Sequence, residues 1–147
     1  MRAKTPYCFA IKHSWMSISK MYQTYVDLNE STLTEAYVLL ALSDVKGKPS
    51  TQVAPLIGME ARSLTRVLKT MEDNGLLLRK GDGEDKRQVN IYLTQKGMQK
   101  RELAKRTIRS FSELIEEQVS EKELETFIKV LNKITELSEN NHFKNNE

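Results

Sequence analysis

Arg62, Ser63, Thr65, Arg66 and Lys69 crowd into one short stretch, and Asp85, Lys86 and Arg87 follow further along as an unbroken run. Guanidinium, ammonium and hydroxyl groups are the donors that grip phosphate oxygens, and arginine also grips guanine with two hydrogen bonds. On a helical wheel Arg62, Arg66 and Lys69 share one side, with Ser63 and Thr65 on its two flanks. Leu64, Val67, Leu68 and Met71 fall opposite, as a core-facing stripe would. In an extended segment Asp85 and Arg87 project from the same side, so the carboxylate can hold the guanidinium in one orientation. That lowers the entropy lost when Arg87 enters a narrow minor groove, and Lys86 is left for a phosphate. Each feature alone has a plainer reading. The first is then a solvated basic helix face, the second a common exposed turn.

These residues need elements to carry them. Leu33-Thr34 opens a helix, with Thr34 as its N-cap and Ala36 to Leu42 as its apolar body. Lys46-Gly47-Lys48-Pro49 breaks the chain. Ser50 can cap a short helix through Leu56, in which Pro55 removes a backbone bond, so that this helix is either kinked or starts later. Ile57-Gly58-Met59 makes a turn, and Glu60 to Asn74 reads as a longer helix ended by Gly75. Leu76 to Arg79 is a short apolar run. Val89, Ile91 and Leu93 alternate with polar neighbours, and the turn-rich Lys80 to Asp85 lies between, so the pattern predicts a β-hairpin with a polar tip. Short helix, glycine turn, longer helix and hairpin is the order of a winged helix-turn-helix, whose second helix enters the major groove.

Helical spacing also marks Cys8 to Leu28, through Ile11, Trp15, Ile18, Tyr22 and Tyr25. Thr94 can cap a long helix bearing Leu103, Ile108, Phe111, Leu114 and Ile115. Ser120-Glu121-Lys122-Glu123 is a capping box before Leu124, Phe127, Ile128, Leu131 and Ile134. The apolar excess at Ile11 to Tyr25 and Leu124 to Ile134 is more than a small DNA-binding unit can cover, which predicts a homodimer on a pseudo-palindromic site.

Bulk properties bound the reading. A chain of 147 residues with 39% hydrophobic and 29% charged residues fits one globular domain. No apolar run approaches the roughly 18–20 residues that span a bilayer, and no signal peptide is visible at the start. The single cysteine, Cys8, suits a reducing cytoplasm. Net charge is only +3, but its distribution is uneven. Lys96, Lys100, Arg101, Lys105, Arg106 and Arg109 face Glu102 alone, whereas acids prevail from Phe111 onward. No phosphate loop, metal-spaced Cys/His cluster or nucleophile triad is present, so the sequence reads as no enzyme, with neither cofactor nor metal. A winged helix used as a protein-interaction module competes. The basic helix face with Asp85 and Arg87 separates the two, because a protein-binding wing would expose apolar residues there.

Arg62-Ser63-Leu64-Thr65-Arg66, Met71-Glu72-Asp73-Asn74-Gly75-Leu76, Asp85-Lys86-Arg87 and Leu93-Thr94-Gln95-Lys96-Gly97 resemble the signature run of MarR-family regulators, as does the Leu33-Thr34 opening. The resemblance covers Leu33 to Gly97, and Pro55 departs from the family's commonest pattern. It implies a mainly α fold with a small β-hairpin wing. Residues 1–147 would form one domain, with the winged helix-turn-helix over 33–97 and dimerisation helices over 1–30 and 98–140. It also implies a repressor of transcription on double-stranded DNA, released by a small lipophilic or phenolic ligand or by cysteine oxidation. A crevice between the dimerising and DNA-binding ends would then lie near His13, Trp15, Met16, Tyr22 and Tyr37, unless these side chains are dimer core. Cys8 lies near the start of the first helix, the helix in which the peroxide-sensing branch carries its reactive cysteine, although a buried cysteine is ordinarily inert.

Overall fold

The computed structural model describes residues 6–27, 31–42, 47–81 and 89–140. Its elements are α1 (Tyr7–Asp27), α2 (Leu33–Ala41), β1 (Lys48–Pro49), α3 (Ser50–Leu56), α4 (Ala61–Asp73), β2 (Leu77–Gly81), β3 (Val89–Leu93), α5 (Gln95–Gln118) and α6 (Glu121–Glu139). The fold is mainly helical with a small antiparallel wing. The chain divides into two compact units, Met1–Thr107 and Ile108–Glu147.

In the first unit, the cap of α2 lies two residues before the one that the sequence reading placed there. Thr32, not Thr34, is the N-cap. Its Oγ1 accepts the Glu35 N–H at 3.1 Å, and Glu35 Oε2 accepts the Thr32 N–H at 2.9 Å. This reciprocal box satisfies two donors that the helix start would otherwise strand, and it accounts for a carboxylate sitting only 8% exposed. Below it, Val38, Leu39 and Leu42 enter a core completed by Val53 and Ala54 of α3, Leu64, Leu68 and Met71 of α4, and Leu76, Leu77 and Ile91.

α3 does begin at Ser50, although Pro49 is the N-cap and gives no side-chain bond. Pro55 is the penultimate residue of this seven-residue helix, where it forgoes the single backbone bond that an N–H at this position would give to the Thr51 carbonyl. Both helices of the motif end in the same way. Met59 N–H returns to the Ala54 carbonyl at 3.0 Å around Gly58, and Leu76 N–H returns to Met71 at 2.8 Å around Gly75. Those glycines hold φ at +63° and +69°, a left-handed turn that a Cβ would strain.

The sheet has three strands in the order β1-β3-β2, all neighbours antiparallel. The segment read as a chain break thus contributes an edge strand, with Lys48 opposite Ile91 and Pro49 opposite Asn90. Its proline is harmless at an edge of two residues. Beside it the Tyr92 ring lies on Gly47, where any Cβ would overlap the ring carbons.

The second unit comprises the end of α5 and α6. Ser120 N–H and Oγ donate to Glu123 Oε2 at 3.1 and 2.5 Å, which fixes the start of α6 as the sequence pattern requires. No residue of α6 is buried. Phe127, Ile128 and Val130 are each more than half exposed, as is Leu114 of α5.

Candidate nucleic-acid interface

α4 presents two faces of opposite chemistry. Leu64 and Leu68 are 2% exposed and Met71 is fully buried, with Val67 half-buried beside them. Arg62, Ser63, Thr65, Arg66 and Lys69 are all exposed. Thr65 Oγ1 donates back to the Ala61 carbonyl at 3.0 Å, a bond within the helix. Among the described residues, Arg62, Ser63, Arg66 and Lys69 make no side-chain hydrogen bond or ion pair. Four polar side chains on a rigid helix therefore remain available to an outside partner.

The C-terminal end of α4 is held by α5. Thr94 caps α5, its Oγ1 accepting the Gly97 N–H at 3.0 Å, and the same hydroxyl donates to the Gly75 carbonyl at 2.7 Å. Lys96 Nζ donates to the Asn74 carbonyl at 3.0 Å, placing a cation where the helix dipole favours one. Thr94 N–H reaches the Leu76 carbonyl at 3.1 Å. Gly97 lies so close to that carbonyl that an added Cβ would overlap it. Asn74, Gly75, Leu76, Thr94, Lys96 and Gly97 thus form one clasp between the basic helix and α5; the sequence marked Gly75 and Thr94 as a helix end and a cap, but not their contact.

Glu72 joins α4 to the wing. Arg79 donates to it from its backbone N–H (3.2 Å to Oε1) and from Nε (2.7 Å to Oε2), and Nη2 lies 2.5 Å from Oε2. The Arg79 hydrogen bond holds the Glu72 carboxyl below the usual carboxylate range. Sequence reasoning missed this pair. Opposite charges seven residues apart carry no signal until a helix end and a strand are known to meet. Further along the wing, Lys80 Nζ stands 5.5 Å from the centre of the Tyr92 ring. Asp85, Lys86 and Arg87 lie outside the described residues, which resume at Val89.

The aromatic residues singled out in the sequence divide. Trp15 and Tyr37 stack at 6.2 Å with an interplanar angle of 28°. Burial raises the Tyr37 phenol above its ordinary value, and burial followed by the proximity of Tyr37 raises that of Tyr22. These three residues form one group between α1 and α2. His13 and Met16 are exposed and take no part in the stacking, and Cys8 is exposed in the first turn of α1. Among the described residues no cluster of three or more His, Cys, Asp or Glu is placed to hold a metal ion. No helix there is long and apolar enough to cross a membrane.

Known proteins place this architecture. The MarR family profile matches residues 31–89. The chain is 31% identical over 90 residues to the HTH-type transcriptional regulator TtmR of Methylorubrum extorquens, a match covering 61% of this chain and 46% of that protein. It is 30% identical over 97 residues to the organic hydroperoxide resistance transcriptional regulator of Bacillus subtilis, covering 66% of each. The chain therefore spans about half the length of the first of these relatives and just under two thirds of the second. In fold it is similar to S. aureus MepR as solved in a complex with DNA, with a TM-score of 0.82 at 19% identity, covering 90% of this chain and 98% of that one. The profile spans α2, α3, α4 and β2, and the chain belongs to the MarR family of winged helix-turn-helix transcription regulators.

Proposed function

We propose that the chain binds double-stranded DNA as a homodimer on a pseudo-palindromic operator. It acts in the cytoplasm as a repressor whose hold on DNA is modulated by a small lipophilic or phenolic effector. The observation that carries this reading is α4, whose buried face fixes it while its exposed face offers Arg62, Ser63, Thr65, Arg66 and Lys69, with no partner for its cations among the described residues. In the major groove Arg66 and Thr65 reach base edges or the adjoining backbone, and the other members of the face hold phosphates. Arg87, oriented by Asp85, enters the minor groove, and Lys86 meets a phosphate. Residues 33–97 serve as the DNA-binding part of a single domain over 1–147, and 1–30 with 98–140 supply the pairing surface. The exposed Tyr7, Phe9 and Trp15 of α1 and Phe127, Ile128 and Val130 of α6 support that pairing. The Trp15, Tyr22 and Tyr37 group supports an effector site, with His13 and Met16 at its edge.

A gel shift with sheared duplex DNA over a series of salt concentrations tests the reading. Binding should weaken steeply with salt, as counterion release requires. Absence of any shift at low salt would refute it, and sedimentation as a monomer at concentrations on the order of tens of micromolar would end the dimer.

Cys8 supports a second reading. It is exposed, and the Bacillus relative is named for organic hydroperoxide resistance. On that reading dilute organic hydroperoxide releases DNA from the wild type but not from Cys8→Ser. On the effector reading the two proteins respond alike.

A further inference from the structure

We propose that Glu72 and Arg79 are positioning residues that fix the wing against the recognition helix, so that both meet DNA in one geometry. The proposal rests on the DNA-binding reading above.

Its basis is the way β2 is anchored. Only Leu77 at the root of the strand is buried, while Leu78, Arg79, Lys80 and Gly81 are exposed. The core therefore grips one end of β2 and leaves the rest to its ladder with β3 and to whatever ties it to α4. A two-stranded hairpin is marginal by itself, and β1 adds only two residues. Among the described residues no hydrogen bond or ion pair other than those of Glu72 with Arg79 joins α4 to β2. The carboxylate takes the strand by its backbone N–H as well as by the guanidinium, and so constrains the position of the main chain and not merely the distance between two charges. It is also built on the last turn of α4, beside the Gly75 turn that α5 clasps, which gives the strand a rigid reference.

Electrostatics and positioning predict opposite signs for removing Glu72. Glu72→Ala deletes a negative charge and frees a guanidinium near a polyanion, so charge alone strengthens DNA binding. Loss of positioning weakens it, and weakens most the duplex whose sequence demands both contacts at once.

The experiment compares wild type, Glu72→Ala, Glu72→Gln and Arg79→Ala on two probes, a duplex selected from genomic fragments and a random duplex of equal length. Amide hydrogen exchange of the free proteins over Leu77–Gly81 is measured alongside. The expected result is that Glu72→Ala and Arg79→Ala lose about 3- to 30-fold affinity for the selected duplex, and that Glu72→Ala loses little on the random one. Glu72→Gln should recover part of the loss, because its amide oxygen still accepts from Arg79, and exchange in β2 should quicken in both alanine variants. If Glu72→Ala melts far below wild type, Glu72→Gln carries the comparison. Selected-duplex binding by Glu72→Ala as tight as wild type or tighter, or unchanged exchange in β2, overturns the proposal. Should wild type bind neither duplex, the functional reading fails by itself, and the exchange comparison still decides whether Glu72 holds the strand.

Discussion

Two regions of this chain handle apolar side chains in opposite ways. In the winged helix, Val38, Val53, Met71 and Leu77 are completely buried by residues of the same unit. In α6, Phe127, Ile128 and Val130 follow a helical stripe of comparable apolarity, yet each stays more than half exposed. Side-chain chemistry does not distinguish the regions. What differs is the number of elements available to cover the stripe: α2, α3, α4 and the sheet enclose one core, whereas the second unit offers α6 only the end of α5. Exposed apolar stripes of this size mark interaction surfaces. The winged helix is thus self-sufficient in packing, and α6 leaves an apolar stripe uncovered, which the proposed pairing gives to a second copy of the chain.

The largest expected effect tests that contrast directly. Leu68→Ala, at a 2% exposed position, should cost about 2–5 kcal/mol at every protein concentration. Phe127→Ala should instead lower stability by an amount that changes over about a hundredfold range of protein concentration, because it weakens association. Denaturant titrations of both variants measure this. A concentration-independent loss at Phe127 would break the comparison.

Gly97→Ala comes next. Its Cβ would overlap the Leu76 carbonyl, a backbone atom that cannot swing aside. Overpacking there should cost about 1–3 kcal/mol and disturb DNA binding as well, since the clasp with α4 must open. Wild-type melting for this variant would mean that the clasp is looser than its geometry indicates.

Substitutions on the exposed face of α4 should separate binding from stability. Arg66→Ala should lose about 1–3 kcal/mol on operator DNA if it grips a guanine, and much less on random duplex. Its melting should stay within roughly 0.5 kcal/mol of wild type. Arg87→Ala should weaken binding to most sequences and reduce the salt slope by about one counterion, with Asp85→Ala milder. Equal binding by Arg87→Ala at every salt would remove the wing from the interface.

The smallest effect concerns acid. Arg79 lowers the Glu72 carboxyl pKa in the folded protein, so the pair stabilises the fold above the unfolded carboxylate value near ~4.3. That contribution disappears as pH falls through the lower folded value. Wild type and Glu72→Gln should therefore differ slightly at neutral pH and converge in acid, as followed by thermal melting. A gap that widened in acid would contradict the sign.

Sequence legibility tracked how local each determinant is. The Leu64, Leu68 and Met71 stripe lies within about two turns of one helix, the Gly75 turn, the Thr94 cap and the Ser120 box within a few residues each, and each was readable. Thr32 was readable too, since Glu35 stands three residues after it, whereas Thr34 has Tyr37 in that place. The β1 strand had no such signal. It is two residues long, contains a proline, and exists only through pairing with β3 some forty positions on. The same holds for the candidate site: the exposed cations of α4 follow from periodicity, but the bonds of Lys96 to Asn74 and of Arg79 to Glu72 require the tertiary fold.

The division of labour on α4 has an evolutionary consequence. Among the described residues, what fixes the helix in the protein belongs to its buried stripe, to Glu72 and to the turn at Asn74 and Gly75, and none of it passes through the side chains of Arg62, Ser63, Arg66 or Lys69. Those four positions can therefore mutate with little penalty in folding. On the proposed DNA-binding reading, a lineage carrying this scaffold would change which DNA sequence it recognises by substituting the exposed residues alone, while the clasp and the core are inherited intact.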